Sequence, residues 1–229
     1  MNDPVVWRLL WKEYRVQRAF WLSMAGIAVL GQLVCLAIPG SYPGDVSSWA
    51  FAWAMVWPGL YALGCGATLF AVEQEEGTIE QLRMLAAPAG RVFLSKLLFG
   101  VASTATLAGV LWMLAVVLRR GQLPAAHEYR VDPREAWRLW GVLCVEGFVW
   151  GLFASLITNR VLTAACMGVA GVLWSDFLIG SVFGNYALRD APAGSFGLVL
   201  LAPYRLMGAA LALALCWPLA WRWMKGRWF

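Results

Sequence analysis

Histidine is almost absent from this 229-residue chain: there is one, His127. A single imidazole cannot supply the two ligands of an H-E-x-x-H zinc protease. It sits in a polar stretch, away from any apolar run that could offer a serine partner. An aspartyl pair inside a membrane would need two aspartates in apolar runs, and only Asp176 qualifies. No catalytic set and no metal site is therefore read here. The five cysteines, Cys35, Cys65, Cys144, Cys166 and Cys216, stand singly in apolar runs with no C-x-x-C pair. They read as small buried hydrophobes, not as a disulfide framework. No G-x-x-x-x-G-K-S/T loop occurs, so nothing in the chain cradles ATP phosphates. Charge is scarce as well: 14% of residues are charged, against roughly 25% in an ordinary soluble domain.

What the chain has instead is apolar length. Hydrophobic residues make up 61% of it, more than a soluble fold of this size can hide. The runs are long and unbroken, whereas a barrel would show segments of about ten residues with alternating polarity. The fold class is an all-α integral membrane protein in one transmembrane domain. Six runs can each cross a bilayer, which takes about 20 mostly apolar residues. They are 19–39, 50–72, 97–118, 139–159, 161–183 and 199–221, preceded by an interfacial segment, 1–18. Residues 184–198, rich in Gly, Ala and Pro, read as a short re-entrant or interfacial segment.

With the N-terminus inside, eleven Lys and Arg fall on the cytoplasmic side and six outside. The positive-inside rule then puts both termini in the cytoplasm, in the inner membrane. The net charge of +5 is read as this topology signal and not as a nucleic-acid footprint. Trp7, Trp11, Trp21, Trp221, Trp223 and Trp228 fall near one interface, and Trp49, Trp53, Trp137 and Trp140 near the other, as aromatic belts do. Trp150 and Trp174 fall in mid-membrane, where helix packing is the plain reading.

Two segments outside the spans carry pattern. In residues 4–18, Arg8, Lys12 and Arg15 share one sector of a helical projection, and Trp7, Leu10 and Tyr14 another. A basic helix bearing Trp7 and Trp11 belongs in a membrane interface. Glu13 falls off the basic stripe, free to reach a partner or a neighbouring loop. The second segment joins spans two and three. Gly77 can turn the chain sharply. Thr78 and Gln81 stand at capping-box spacing, Glu80 suits a helix start, and Pro88 stops the helix near Ala87. Ile79, Leu82 and Leu85 form one apolar face. A two-turn helix over 78–87 is expected.

The run Glu73, Glu75, Gly77, Thr78, Glu80, Leu82, Leu85, Pro88, Arg91 and Lys96 resembles the first cytoplasmic loop of type-2 ABC transporter permeases, and Glu76 and Ile79 lie within it. Leu10 to Arg15, with Trp11, Lys12 and Glu13, resembles that family's interfacial connecting helix. Length and span number are similar too. Small heme-exporter permeases carry a related loop, and the segment 119–137 is longer and more charged than in compact members. The resemblance implies that the loop is a coupling helix seated in a groove of a separate cytoplasmic ATPase. It implies that ATP and Mg bind that partner, that a second permease copy or a homologous one completes a dimer, and that the direction is export.

Three ionisable residues lie within spans, where they are costly and face a bundle interior or a wet path. At about 1.5 Å per residue, Asp176 and Arg205 reach similar depth in the outer leaflet, roughly 24–25 Å from the inner side. Glu146 lies roughly 12 Å in from the outer side. An ion pair between spans five and six is the structural reading, and a substrate or proton site the functional one. The ABC reading thus competes with a secondary transporter or channel using Glu146, Asp176 and Arg205. That alternative would be supported by inverted repeats or matched broken helices, which the sequence does not display.

Overall fold

A computed structural model describes residues 4–37, 43–78, 88–119, 133–189 and 201–225. Among them are six α-helices and no strand: α1 (Pro4–Ala37), α2 (Pro43–Glu75), α3 (Ala89–Arg119), α4 (Pro133–Ile157), α5 (Val161–Arg189) and α6 (Ala202–Met224). Proline opens α1, α2 and α4 and stands second in α6. There the missing N–H is one that no helix could use, and the fixed φ suits the first turn.

Five of the helices contain a stretch long and apolar enough to cross a membrane: Trp53–Glu75, Ala89–Ala115, Trp140–Ile157, Val161–Phe183 and Ala202–Trp223. This is a multi-pass helical membrane protein. The stretch on α3 begins eight residues before the expected 97, because Arg91 and Lys96 continue the helix instead of belonging to a loop. The expected division of the N-terminal region into 1–18 and 19–39 is not seen in the backbone. Residues 4–37 form one unbroken helix, about 51 Å long. Residues 5–25 contain neither Pro nor Gly, so nothing there interrupts the hydrogen-bond ladder.

The core sits on α2 and α4, which approach closely through small residues. A Cβ on Gly66 would stand 2.4 Å from the Phe148 carbonyl oxygen, and one on Gly151 would stand 2.3 Å from that of Leu63. Side chains there would force the helices apart. With little hydrophobic drive between helices in lipid, such backbone proximity supplies the van der Waals contact that holds them. Tyr61, Cys65, Leu69, Phe70, Phe148 and Leu152 fill the space around this seam. Helix α1 packs on α2 and α3, and α6 packs mainly on α4. Helix α5 is sparsely covered, showing Leu162, Leu173, Trp174 and Phe177.

Not every tryptophan read as a belt residue lies in one. Trp223 is buried with its ring edge-on to Phe70 at 5.0 Å. Trp53 stacks on Trp57 at 4.9 Å and donates to the Ala28 carbonyl at 3.0 Å. Both pin helices together. Trp150 packs against Gly171, and Trp174 is exposed.

Candidate functional site

Helix α2 ends at a built turn. Gly77 adopts φ +69°, a left-handed value open to glycine without Cβ strain. The Thr78 N–H then bonds back to Glu73 O at 3.0 Å and the Gly77 N–H to Gln74 O at 3.3 Å. These are the two closing bonds of a Schellman cap. The chain leaves the bundle here and returns at Pro88, whose carbonyl accepts from Arg91 N at 2.9 Å to start α3. Residues 79–87 lie outside the described residues, and with them Ile79, Glu80, Leu82, Leu85 and most of the expected two-turn helix. So do 120–132 and 190–198, most of the long charged loop and of the expected re-entrant segment.

Four charges meet at the stem of that loop. Lys96 is 1% exposed. Its ammonium lies 2.9 Å from Glu13 Oε1 and 2.9 Å from Glu73 Oε1, and it donates to the Leu69 carbonyl. These partners take all three donors of a lysine. The Phe70 ring covers it at 5.1 Å. Lys12 reaches the same Glu73 oxygen from the half-exposed rim. Two lysines and two glutamates sum to zero, which is the condition for keeping charges out of water. The cluster ties α1, the end of α2 and the start of α3 into one knot. Glu75 adds a fourth helix: its Oε2 accepts from the Val161 N–H at 2.9 Å, one of the orphan donors at the start of α5. Gln74, with its amide turned to suit its neighbours, donates to Thr158 O at 3.2 Å and accepts from the Trp223 indole.

A second cluster lies toward the opposite end of the bundle. Arg205 of α6 donates through Nε to Glu146 Oε2 of α4 at 2.9 Å and through a second nitrogen to the same oxygen. That second nitrogen is 2.9 Å from Asp176 Oδ1 of α5. Ser175 sets its hydroxyl on Glu146 Oε1. Arg205 and Glu146 are buried, whereas the Asp176 side chain is 37% exposed. A recess of about 520 Å³, lined by Arg138, Val142, Val145, Ala202, Pro203 and Leu206, flanks this cluster.

The structure therefore brings Lys12, Glu13 and Glu73 together, and separately Glu146, Asp176 and Arg205. It leaves Glu76 exposed on the turn, Thr78 half-buried, and Pro88 and Arg91 at the start of α3. Trp7, Trp11 and Arg15 are exposed on α1. Reasoning from sequence treated Lys96 as a loop cation and overlooked Ser175. Lys96 could have been found from its spacing: with Val92, Phe93 and Gly100 it shares the buried face of α3. Ser175 carried no signal beyond its place beside Asp176. Among the described residues no group of His, Cys, Asp and Glu could hold a metal ion. Compared with family models, curated proteins and solved structures, the chain matches none of them.

Proposed function

We propose that this chain is the membrane subunit of an ABC exporter, working with ATP hydrolysed on a separate cytoplasmic subunit. The observation that carries this reading is the charged knot at the loop stem. A loop that only joined two spans would need no buried four-charge cluster at its base. A loop that receives force needs its stem fixed to the helices it must move. Here Glu73 and Lys96 bind the two ends of the loop to each other and to α1, and Glu75 binds the same stem to α5. Displacement of residues 79–87 by a partner would then reach α1 and α5 together.

On this reading α1 is the sixth span. From Ala19 to Ala37 it covers about 27 Å, close to the thickness of a bilayer's hydrocarbon core, and both termini lie in the cytoplasm. The helix expected over 78–87 is the peg that seats in the ATPase, with Leu82 and Leu85 as apolar anchors and Glu75, Glu76 and Glu80 as its acidic neighbours. ATP and Mg belong to that partner, and a second permease copy completes the pathway. A second reading, a secondary transporter working through Glu146, Asp176 and Arg205, draws on the half-open Asp176 beside a buried arginine.

Co-purification from the native membrane decides between them. An ATPase should accompany the wild-type chain. Leu82→Ala and Leu85→Ala should lower its retention more than Glu76→Ala, since buried anchors carry affinity and rim charges mostly set encounter. Absence of an ATPase, or equal retention by all variants at equal membrane levels, would return weight to the second reading.

A further inference from the structure

The outer face of α1 carries a second feature, independent of the loop. Trp7, Trp11, Tyr14, Arg18 and Leu22 follow one another at steps of three and four, so they share one stripe. Trp7, Trp11, Tyr14 and Leu22 are 72%, 57%, 48% and 61% exposed, and the Trp11 and Tyr14 rings stand 5.4 Å apart. The stripe runs into a groove of about 360 Å³ between α1 and α3, lined by Tyr14, Arg18 and Leu22 on one side and Phe99, Ala102 and Thr106 on the other. Trp21 crosses its floor and donates to the Ser103 carbonyl at 3.3 Å. That bond fixes the two walls.

The charge along this groove is of one sign. Glu13 is the sole carboxylate of α1, and α3 has none. Glu13 is turned inward and held by Lys96. Lys12 is matched by Glu73. That leaves Arg8, Arg15 and Arg18 exposed, and no carboxylate among the described residues pairs with them. The groove mouth is level with the stem cluster, since Tyr14 adjoins Glu13. A helical arginine leans toward the helix N-terminus and snorkels, so Arg18 serves a headgroup at the mouth while its stem covers the apolar wall.

We propose that this groove binds one anionic phospholipid of the leaflet at the α1 N-terminal end. Its phosphate lies against Arg18 in the groove, with Arg15, three residues back on the neighbouring basic stripe, reaching the same headgroup from outside the groove. The headgroup lies beside Trp11 and Tyr14, and one acyl chain along Leu22, Phe99 and Ala102. Basic pockets between membrane helices recognise acidic headgroups in this way. The zwitterionic lipids offer no net charge to the two arginines.

The test is native mass spectrometry of the intact chain in neutral detergent, with phosphatidylglycerol and phosphatidylcholine of equal chain length as probes. Each arginine contributes about fivefold in affinity, so the wild type should prefer the anionic lipid by more than tenfold. Arg15→Gln with Arg18→Gln should bind both lipids alike. Ala102→Phe, at an exposed position, should lose both by filling the groove with the arginines intact. Arg222→Gln, a cation on α6 away from the groove, should behave as wild type. Soluble glycerol phosphate should not compete. Equal binding of the two lipids by the wild type would overturn the proposal. So would an unchanged preference in the double arginine variant, full retention by Ala102→Phe, loss in Arg222→Gln, or displacement by glycerol phosphate, each measured on variants that elute as the wild type does.

Discussion

The stem cluster and the far cluster use the same chemistry and reach different balances. At the stem, Lys12 and Lys96 cancel Glu13 and Glu73, and only Lys12 shows appreciable surface. At the far end, Arg205 alone faces two carboxyl groups, Glu146 and Asp176. Of the two, Asp176 is the one that is not buried. Desolvating charge without a partner is prohibitive. The stem matches two lysines to two glutamates and is closed, whereas the far cluster sets two acids on one arginine and keeps one edge open. A closed knot suits transmission of force. An open edge suits a contact with something that is not part of this chain.

Breaking the knot should cost the most. Lys96→Met leaves Glu13 and Glu73 buried with Lys12 alone, a loss of about 3–5 kcal/mol, read as unfolding free energy in mixed micelles. Arg205→Met follows closely, at about 3 kcal/mol, because Glu146 then keeps only Ser175. Glu146→Gln with Arg205→Met should recover part of that loss, since the double variant strands no buried charge. Gly77→Ala is a milder break: the left-handed φ of this position strains any residue with a Cβ, by about 1 kcal/mol. Asp176→Asn should change stability least, under about 1 kcal/mol, because Arg205 keeps its buried partner Glu146 and no buried charge is stranded. If Asp176→Asn proved as damaging as Lys96→Met, the contrast between a closed and an open cluster would fail.

The same contrast shows how far the sequence could be read. Long apolar runs announce helices whatever their neighbours, so the membrane class and most helix positions were legible. Gly77 was legible as a turn because few other residues accept its φ. Depth counted at a fixed rise per residue sets Asp176 and Arg205 level, and they are 2.9 Å apart. The same count was made for Glu146 from the opposite surface, and its role as the main partner of Arg205 did not emerge. Lys96 was hidden for a different reason. Hydropathy scores a charge as exposed, but the side chain points inward when two glutamates on other helices await it. Those partners are 83 and 23 positions away, and only the packing of α1 and α2 on α3 joins them. The continuity of α1 was hidden by a change of composition at Arg18 that has no effect on the backbone.

A double-mutant cycle between Glu13 and Lys96 bears most directly on the knot as a bridge from the loop stem to α1. Glu13→Gln, Lys96→Met and the double variant would be unfolded alongside the wild type under one set of conditions. A coupling energy of about 2 kcal/mol, with the double variant more stable than the sum of the single losses allows, is expected for two buried charges in direct contact. Losses that add to within about 0.5 kcal/mol would mean that the two residues act independently, and that the loop stem is not fastened to α1.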